Sequence, residues 1–271
     1  MTHPYLNTAI EAAHKAGDLL LKHRDRIEGI PVERKARGDY VSELDRLCEQ
    51  LIRTELKRRY PDHAILGEEQ GLKQGDEHLW IIDPLDGTSN YLHGFPHYAI
   101  SIALSINGRI EHGVVYDPAR DELFAASRGA GATLNSRRIR VSGRTGLGGA
   151  ILGIAFPFRS RKLMPSYQAM FDSLFEQCED IRRAGSAALD LAYVACGRLD
   201  AYLELALKPW DIAAGALLVQ EAGGVVMDVT GGDNWLKSGH ILAAPFKLVT
   251  PIRNAITPHL GEAILARTAA T

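Results

Sequence analysis

The run Leu79-Trp-Ile-Ile82, followed at once by Asp83-Pro-Leu-Asp-Gly-Thr88, constrains the fold of this chain more than any other segment. Four large apolar residues in succession are typical of a strand that is buried on both faces. The carboxyl end of such a strand delivers Asp83 to the rim of a sheet, where the sites of α/β proteins form. Pro84 fixes the backbone, and Asp86 returns to the same side three residues later. The segment therefore predicts a buried strand that ends in a carboxylate-bearing turn.

Two carboxylates in one turn need a positive charge between them. Bare carboxylates about 4 Å apart repel by roughly 4 kcal/mol at an effective dielectric constant near 20. The following Gly87-Thr88 can open a helix whose free N–H groups face an anion. Oxygen-only ligation of this kind suits Mg²⁺ rather than zinc. Asp86-Gly87 on its own is also a common turn signal, so an ordinary turn remains the alternative at this point.

Two further acidic turns follow the same pattern. Glu68 and Glu69 come directly after the apolar run Ala64-Ile-Leu66, and Asp211 precedes the apolar run Ile212-Ala-Ala-Gly-Ala-Leu-Leu. Each has an ordinary explanation: the first pair suits a solvated loop, and an aspartate before a helix is a good N-cap. The alternative is that all three turns contribute carboxylates to one site.

Composition excludes several classes of protein. The chain has 271 residues, with 31 Lys and Arg against 33 Asp and Glu, a formal charge of −2 and 46% hydrophobic residues. This balance is that of a globular protein, and it argues against a broad basic surface for nucleic acid or a polybasic membrane anchor. Cys48, Cys178 and Cys196 form no disulfide or zinc pattern. The longest apolar stretch is about half a membrane span. We expect a cytoplasmic protein without a membrane partner.

Periodicity predicts an alternation of helices and strands. Helices are expected at residues 5–24, 41–60, 165–178 and 212–222, with a terminal helix after Pro251. Strands are expected at 30–34, 64–66, 79–82, 97–106, 109–116, 122–127, 150–156, 199–204, 225–229 and 240–244. Residues 35–39 are expected to form a polar loop, and 142–149 are the only linker-like stretch.

Three segments together carry a family resemblance. Gly67-Glu-Glu69, Trp80-Ile-Ile-Asp-Pro-Leu-Asp-Gly-Thr-Ser-Asn90 and Trp210-Asp-Ile-Ala-Ala-Gly215 resemble the signature of the inositol monophosphatase family, and most of all its bacterial inositol-1-monophosphatases. The match extends over the whole chain, in order and spacing. It implies an α/β fold, the five-layer αβαβα sandwich of the Mg²⁺-dependent, lithium-sensitive phosphatases. It also implies one domain over residues 1–271, with lobes near 1–145 and 146–271 around a metal site.

The resemblance implies roles for individual residues. The residues that would hold two or three Mg²⁺ ions are Glu68, Asp83, the main-chain carbonyl of Leu85, Asp86 and Asp211. Those that would contact substrate are Asp86, Gly87, Thr88, Ser89, Arg182, Gly185, Ser186, Ala187, Glu204 and Asp211. Asp45 and Thr88 would orient and deprotonate the attacking water, with Glu68 as a further catalytic residue. Lys35 and Glu69 are additional candidates, and Asp190 is interpreted as a structural carboxylate whose hydrogen bonds are satisfied.

Helical periodicity gives little independent support for the catalytic role that the resemblance implies for Asp45. On a helical wheel it falls at the edge of an apolar stripe, which indicates an inward carboxylate with a partner. Glu55 passes the same test equally well. For Lys35 the alternative is one more basic residue in Arg34-Lys-Ala-Arg37.

The leading hypothesis is hydrolysis of myo-inositol 1-phosphate by a metal-activated water, in a homodimer. A phosphatase for another sugar or nucleotide phosphate is a close alternative, and a catalytically inert metal-binding homologue is a third. A different class of function is also implied by the resemblance. Bacterial relatives serve as factors that associate with RNA polymerase in ribosomal RNA transcription, a role in which catalysis is dispensable.

Overall fold

The computed structural model describes residues 3–24, 32–36 and 39–269, without the side chains of 32–36 and 39–42. In the described residues the helices are α1 (Pro4–His23), α2 (Glu43–Arg59), α3 (Thr88–Leu92), α4 (Met164–Phe175), α5 (Ala187–Ala195), α6 (Pro209–Glu221), α7 (Trp235–Ser238), α8 (Phe246–Ile256) and α9 (Glu262–Ala269). Short 3₁₀ helices lie at Arg161–Leu163 and Thr257–His259.

The strands form one ribbon and two larger sheets. They are β1 (Val32–Ala36), β2 (Asp39–Ser42), β3 (Ala64–Gly67), β4 (Gly71–Lys73), β5 (His78–Asp86), β6 (Ala99–Ile106), β7 (Arg109–Asp117), β8 (Glu122–Ser127), β9 (Gly131–Leu134), β10 (Arg137–Arg138), β11 (Ile151–Ile154), β12 (Asp180–Arg182), β13 (Ala201–Glu204), β14 (Gly224–Met227) and β15 (Ile241–Pro245). The ribbon is β1–β2. The eight-stranded sheet has the order β10-β9-β8-β7-β6-β5-β3-β4, and the five-stranded sheet has the order β12-β11-β13-β15-β14.

Helices cover the outer face of the eight-stranded sheet. Ala9, Ala13, Ala16 and Leu20 recur at helical spacing along α1 and are all buried. Together with the apolar face of α2 they pack on β5, β6 and β7, around the fully buried Trp80. This cluster fixes β5 in the sheet and so determines where its carboxyl end lies.

The other face of that sheet is covered by α5 and α6, which also pack against the five-stranded sheet. Helices buried on two sides carry apolar residues all round, and α6 has nine buried residues in its thirteen positions. The outer face of the five-stranded sheet is covered by α4 and α8. The sequence of layers is therefore α, β, α, β, α, which confirms the predicted sandwich.

Several elements differ from the sequence prediction, which did not include α5, β4, β9, β10 or β12. In the predicted loop 35–39, residues 35, 36 and 39 belong to the antiparallel strands β1 and β2, and residues 37 and 38 lie outside the described residues. Helix α2 begins at Glu43 rather than at Val41. Pro251 lies inside α8 instead of preceding it. Proline removes one helical hydrogen bond, but the buried face of Leu248, Ile252 and Ile256 keeps this helix on the sheet.

None of the described helices is both long and apolar enough to cross a membrane. Cys48, Cys178 and Cys196 are free thiols, in agreement with the sequence prediction. Burial raises the pKa of the Cys48 thiol to about 12.

Candidate active site

A cavity of about 460 Å³ opens where β5 ends, at the junction of the two sheets and their shared helix layer. Many of the residues singled out in the sequence line it. They are Glu68, Asp83, Leu85, Asp86, Gly87, Thr88, Ser89, Gly185, Ser186, Ala187, Glu204 and Asp211. The three acidic turns thus face one space, although they are separated by up to 143 positions in the chain (211 − 68).

The end of β5 is shaped by its own carboxylates. Asp83 is buried, and its Oδ1 accepts a hydrogen bond from the backbone N–H of Leu85 at 3.0 Å. The pairing register with β6 becomes irregular between Asp83 and Asp86. Oδ2 of Asp86 accepts from the Ser186 hydroxyl at 2.6 Å and from the Ala188 N–H at 2.7 Å. These two hydrogen bonds from the start of α5 therefore fix the position of the Asp86 carboxylate, which lines the cavity.

Glycine is required at position 87. Its φ is +92°, and a Cβ there would lie 2.9 Å from the carbonyl oxygen of His97. Gly87 starts α3, and no side chain in the described residues caps the free N–H groups of that short helix. Asn90 anchors the turn, donating to the carbonyls of His97 at 2.7 Å and Ala184 at 2.9 Å. The turn thus presents backbone donors to the cavity.

Glu68 is positioned by a glutamate that sequence reasoning missed. Glu49 of α2 is fully buried and accepts from the N–H groups of Glu69 at 2.7 Å and Gln70 at 3.0 Å. Arg53 donates to the same carboxylate at 2.7 Å. A glutamate and an arginine four residues apart in a helix are typical of a surface ion pair, so the sequence carried no signal that this pair is buried. Glu69 itself is not among the residues that line the cavity.

We predict that Glu49→Gln lowers the free energy of unfolding by about 3 kcal/mol, because an amide cannot replace an acceptor-only carboxylate among three donors. Chemical denaturation measures the change. The matched control is Glu55→Gln on the same helix, where the carboxylate pairs with Lys15 and Arg58 in a more exposed setting. That control is expected to cost less than about 1 kcal/mol. Equal losses in the two variants would contradict the anchoring role of Glu49.

Asp211 serves both as a helix cap and as a cavity residue. Its Oδ2 accepts from the N–H of Lys208 at 2.7 Å, which caps α6, and from Nη1 of Arg159 at 3.0 Å. Nη2 of Arg159 lies 3.8 Å from Oε1 of Glu68. The sequence left open whether Asp211 caps a helix or contributes to a shared acidic site, and the structure is compatible with both. Arg159 follows β11, and nothing in the sequence distinguishes it from an ordinary loop arginine.

Asp45 and Thr88 meet beside the cavity. Asp45 is buried, and the Thr88 hydroxyl lies 3.0 Å from its Oδ1 and 3.0 Å from the carbonyl oxygen of Leu85. A hydroxyl has one proton and two acceptor lone pairs, so donation to Asp45 leaves the Thr88 oxygen able to accept from a third group. Glu55, which the helical wheel could not distinguish from Asp45, forms ion pairs away from the cavity.

Burial and mutual repulsion disfavour the charged forms of the cavity carboxylates. Burial, followed by repulsion from Glu68 and Asp86, raises the pKa of Asp83 well above its ordinary value. Burial and Asp211 together raise the pKa of Asp86 to about 7. These shifts describe the carboxylates in the absence of a divalent cation. A divalent cation would reverse them, because it favours the ionised forms.

Two further acidic residues, Asp190 and Glu204, line the cavity. Burial raises the pKa of Glu204 to about 8, and the Tyr202 hydroxyl donates to its carboxylate. Asp190 lines the cavity with a buried Oδ1 that has no hydrogen-bond partner among the described residues. The interpretation of Asp190 as a satisfied structural carboxylate is therefore wrong.

Arg183, rather than Arg182, lines the cavity. Side chains alternate along a strand, and Arg182 at the end of β12 forms an ion pair with Asp180 two residues earlier, on the same face. The next residue, Arg183, then projects to the other side. The side chain of Lys35, in β1, lies outside the described residues, so its role remains a prediction.

The donor set of the cavity fits Mg²⁺. All of the predicted ligands offer oxygen, from carboxylates and the Leu85 carbonyl, which is the chemistry that Mg²⁺ prefers. Repulsion among Asp83, Asp86 and Asp211 supplies the negative field that a dication would relieve.

A second group of possible ligands lies at the start of β5. In the described residues the trio whose ligand atoms fall within 4.8 Å of one another is His63, Asp76 and His78, and no trio of cavity carboxylates is that close. Trp80 donates its indole N–H to Nδ1 of His63 at 3.1 Å, so in a neutral ring Nε2 carries the proton and offers no lone pair. The rings of His63 and His78 are stacked, 4.3 Å apart and 7° from parallel. Parallel rings do not direct two lone pairs at one ion, so this group fits a hydrogen-bonded stack better than a metal site.

Comparison with known proteins agrees with this architecture. The model of the inositol monophosphatase family matches residues 1–265. A protein of Pseudomonas aeruginosa named Nus factor SuhB is 53% identical over 267 residues, covering 96% of this chain and 98% of the relative. The structure of the extragenic suppressor protein suhB from Bartonella henselae superimposes with a TM-score of 0.92 at 40% identity, covering 95% of this chain and all of the other. An inositol monophosphatase from Anabaena superimposes with a TM-score of 0.84 at 38% identity, covering 96% and 97% of the two chains.

Proposed function

The chain belongs to the inositol monophosphatase family, and on that premise we propose that it is a Mg²⁺-dependent phosphomonoesterase that hydrolyses myo-inositol 1-phosphate to inositol and phosphate. The observation that carries the proposal is the meeting of Glu68, Asp83, Asp86 and Asp211 with the Thr88–Asp45 pair at one cavity. Glu204, which also lines the cavity, is suited to bind a hydroxyl of a polyol. We propose in addition that the chain acts as one cytoplasmic domain and forms a homodimer.

The residues of the chain divide the work of the reaction. Glu68, Asp83, the Leu85 carbonyl, Asp86 and Asp211 would hold the ions. Bound Mg²⁺ would activate a water molecule and offset the charge of the phosphate and the leaving oxygen. The N–H groups that follow Gly87 would bind phosphate oxygens and orient the ester. Thr88 would accept a proton from the attacking water and pass its own to Asp45, which is 3.0 Å away.

The direct test is phosphate release from myo-inositol 1-phosphate with Mg²⁺, with EDTA, and with Mg²⁺ plus Li⁺. We expect turnover with millimolar Mg²⁺, none with EDTA, and inhibition by Li⁺. Adenosine 2′-phosphate and fructose 1,6-bisphosphate serve as comparison substrates. A higher kcat/KM for a nucleotide or sugar bisphosphate would replace the inositol assignment, and absence of turnover on every phosphomonoester would contradict the enzyme assignment.

A role in transcription is the second candidate function. It is favoured by the similarity to a protein named Nus factor, 53% identical over nearly the full length. The formal charge of −2 gives no support to extended contact with RNA, so a protein partner fits better. The test is a pull-down of transcription proteins with wild type and with the metal-site variant Asp83→Asn. Binding by both would separate the two functions, and binding by neither would remove the transcription role.

A further inference from the structure

We propose that Arg159 is a tethered cation that competes with a divalent ion for Glu68 and Asp211, and so sets the affinity of the site for metal. The inference rests on the proposed function, because it takes these two carboxylates as metal ligands. It concerns a residue that the sequence did not single out and whose side chain lines the acidic cavity.

The guanidinium contacts carboxylates from both halves of the chain. Its Nη1 donates to Oδ2 of Asp211 at 3.0 Å, and its Nη2 lies 3.8 Å from Oε1 of Glu68. Glu68 follows β3 of the eight-stranded sheet, whereas Asp211 is in the first turn of α6. One side chain therefore spans two predicted ligands that reach the cavity on different elements.

Arg159 is held in this position by its surroundings. It follows β11 in a tight segment in which the N–H of Ser160 donates to the Pro157 carbonyl at 2.9 Å. Its guanidinium also lies 5.4 Å from the centre of the Phe158 ring. Only 26% of the Arg159 side chain is exposed, and 4% of that of Asp211. This is a partly desolvated pair, unlike most arginine contacts at a protein surface.

The contacts of Arg159 are incompatible with tight metal binding by the same oxygens. A carboxylate oxygen that accepts from a guanidinium has less electron density to offer an ion, and Mg²⁺ demands near-octahedral geometry. Arginine keeps its charge under all ordinary conditions, so it cannot escape repulsion from a dication by losing a proton. For these oxygens to bind the ion, the Arg159 guanidinium must move away from them. The cost of breaking its pairs is therefore subtracted from the free energy of metal binding.

The test measures Mg²⁺ affinity directly. Metal-free protein is titrated with Mg²⁺ in a calorimeter, comparing wild type with Arg159→Gln. We expect the dissociation constant to fall about tenfold in the variant, the equivalent of one charge-assisted hydrogen bond. The matched control is Arg161→Gln, which removes the same charge from an exposed position two residues away and outside the cavity. We expect that control to change the dissociation constant by less than about twofold.

Thermal unfolding supplies a second readout that does not depend on catalysis. In EDTA, Arg159→Gln is expected to unfold at a lower temperature than wild type, because Glu68 and Asp211 lose their contacts with this guanidinium. The rise in Tm on adding Mg²⁺ is expected to be larger in the variant than in wild type. Arg159→Lys keeps the charge but loses the forked donors, so its Mg²⁺ affinity is expected to lie between the two.

The outcomes separate this inference from the proposed function. Unchanged or weaker Mg²⁺ binding by Arg159→Gln would overturn the competition, as would an equal gain in Arg161→Gln, while leaving the metal site intact. Absence of Mg²⁺ binding by wild type and both variants would overturn the competition and the proposed metal site together.

Discussion

Asp83→Asn is expected to lower the rate of phosphate release by about a thousandfold or more, because the carboxylate most central to the proposed metal site is lost. The substitution is nearly isosteric, and an asparagine Oδ1 can still accept from the Leu85 N–H. The local turn should therefore survive. Initial rates at saturating Mg²⁺, together with calorimetric titration of Mg²⁺, measure the effect.

The same variant is expected to be more stable than wild type in EDTA. Burial and the neighbouring carboxylates raise the pKa of Asp83, so the ionised form is disfavoured in the folded protein. Removing that charge relieves the repulsion, and a gain of about 2 kcal/mol would raise Tm by roughly 3–4 °C in a chain of this size. Mg²⁺ should then stabilise wild type far more than Asp83→Asn.

Asp180→Asn is the control for this pair of measurements. Asp180 is paired with Arg182 at the surface, away from the cavity, so we expect neither rate nor Mg²⁺ affinity to change. Retention of turnover by Asp83→Asn within tenfold of wild type would contradict the central role of Asp83. A Tm of Asp83→Asn below that of wild type in EDTA would show that the charge of Asp83 stabilises the fold.

The sequence predicted the parts of this site in which local pattern and position in the fold agree. The run from Leu79 to Asp83 is apolar and then acidic. In the structure the apolar residues lie in β5 of the sheet, and Asp83 lines the cavity. The layer order was implied by the family resemblance, whereas the buried strand and its acidic turn were predicted from the local pattern. These signals are local, so they survive without knowledge of tertiary contacts.

The residues that were missed depend on contacts between distant segments. Glu49 looks like a surface glutamate paired with Arg53, and only its contact with the turn after β3 makes it a buried anchor. Arg159 looks like a loop arginine until α6 brings Asp211 to it. The interpretation of Asp190 as satisfied failed for the same reason: a helix position does not reveal whether a partner is near.

Arg182 and Arg183 are adjacent in the sequence, but only Arg183 lines the cavity. Two adjacent arginines give no sequence basis for choosing between them, and strand alternation sends them to opposite sides. The pairing of Arg182 with Asp180 leaves Arg183 to face Gly185 and the cavity. A resemblance that locates a motif to within one residue is therefore too coarse to identify which side chain contacts a substrate.

Thr88→Val is expected to lower kcat by about a hundredfold to ten-thousandfold while KM for inositol 1-phosphate and the dissociation constant for Mg²⁺ stay within about threefold of wild type. Valine keeps the shape and the backbone N–H groups of the turn but removes the hydroxyl that lies 3.0 Å from Asp45. Steady-state kinetics and Mg²⁺ titration separate this loss from a loss of metal. Thr88→Ser retains the hydroxyl and is expected to recover kcat to within about tenfold.

A double-mutant cycle tests whether Thr88 and Asp45 act as one unit. Groups that move the same proton are strongly non-additive, so Thr88→Val combined with Asp45→Asn should be no slower than the slower single variant. Fully additive losses would mean that the 3.0 Å contact is structural and that the two residues act on separate steps. The cycle therefore decides between a proton relay and a packing contact, which the geometry alone allows equally.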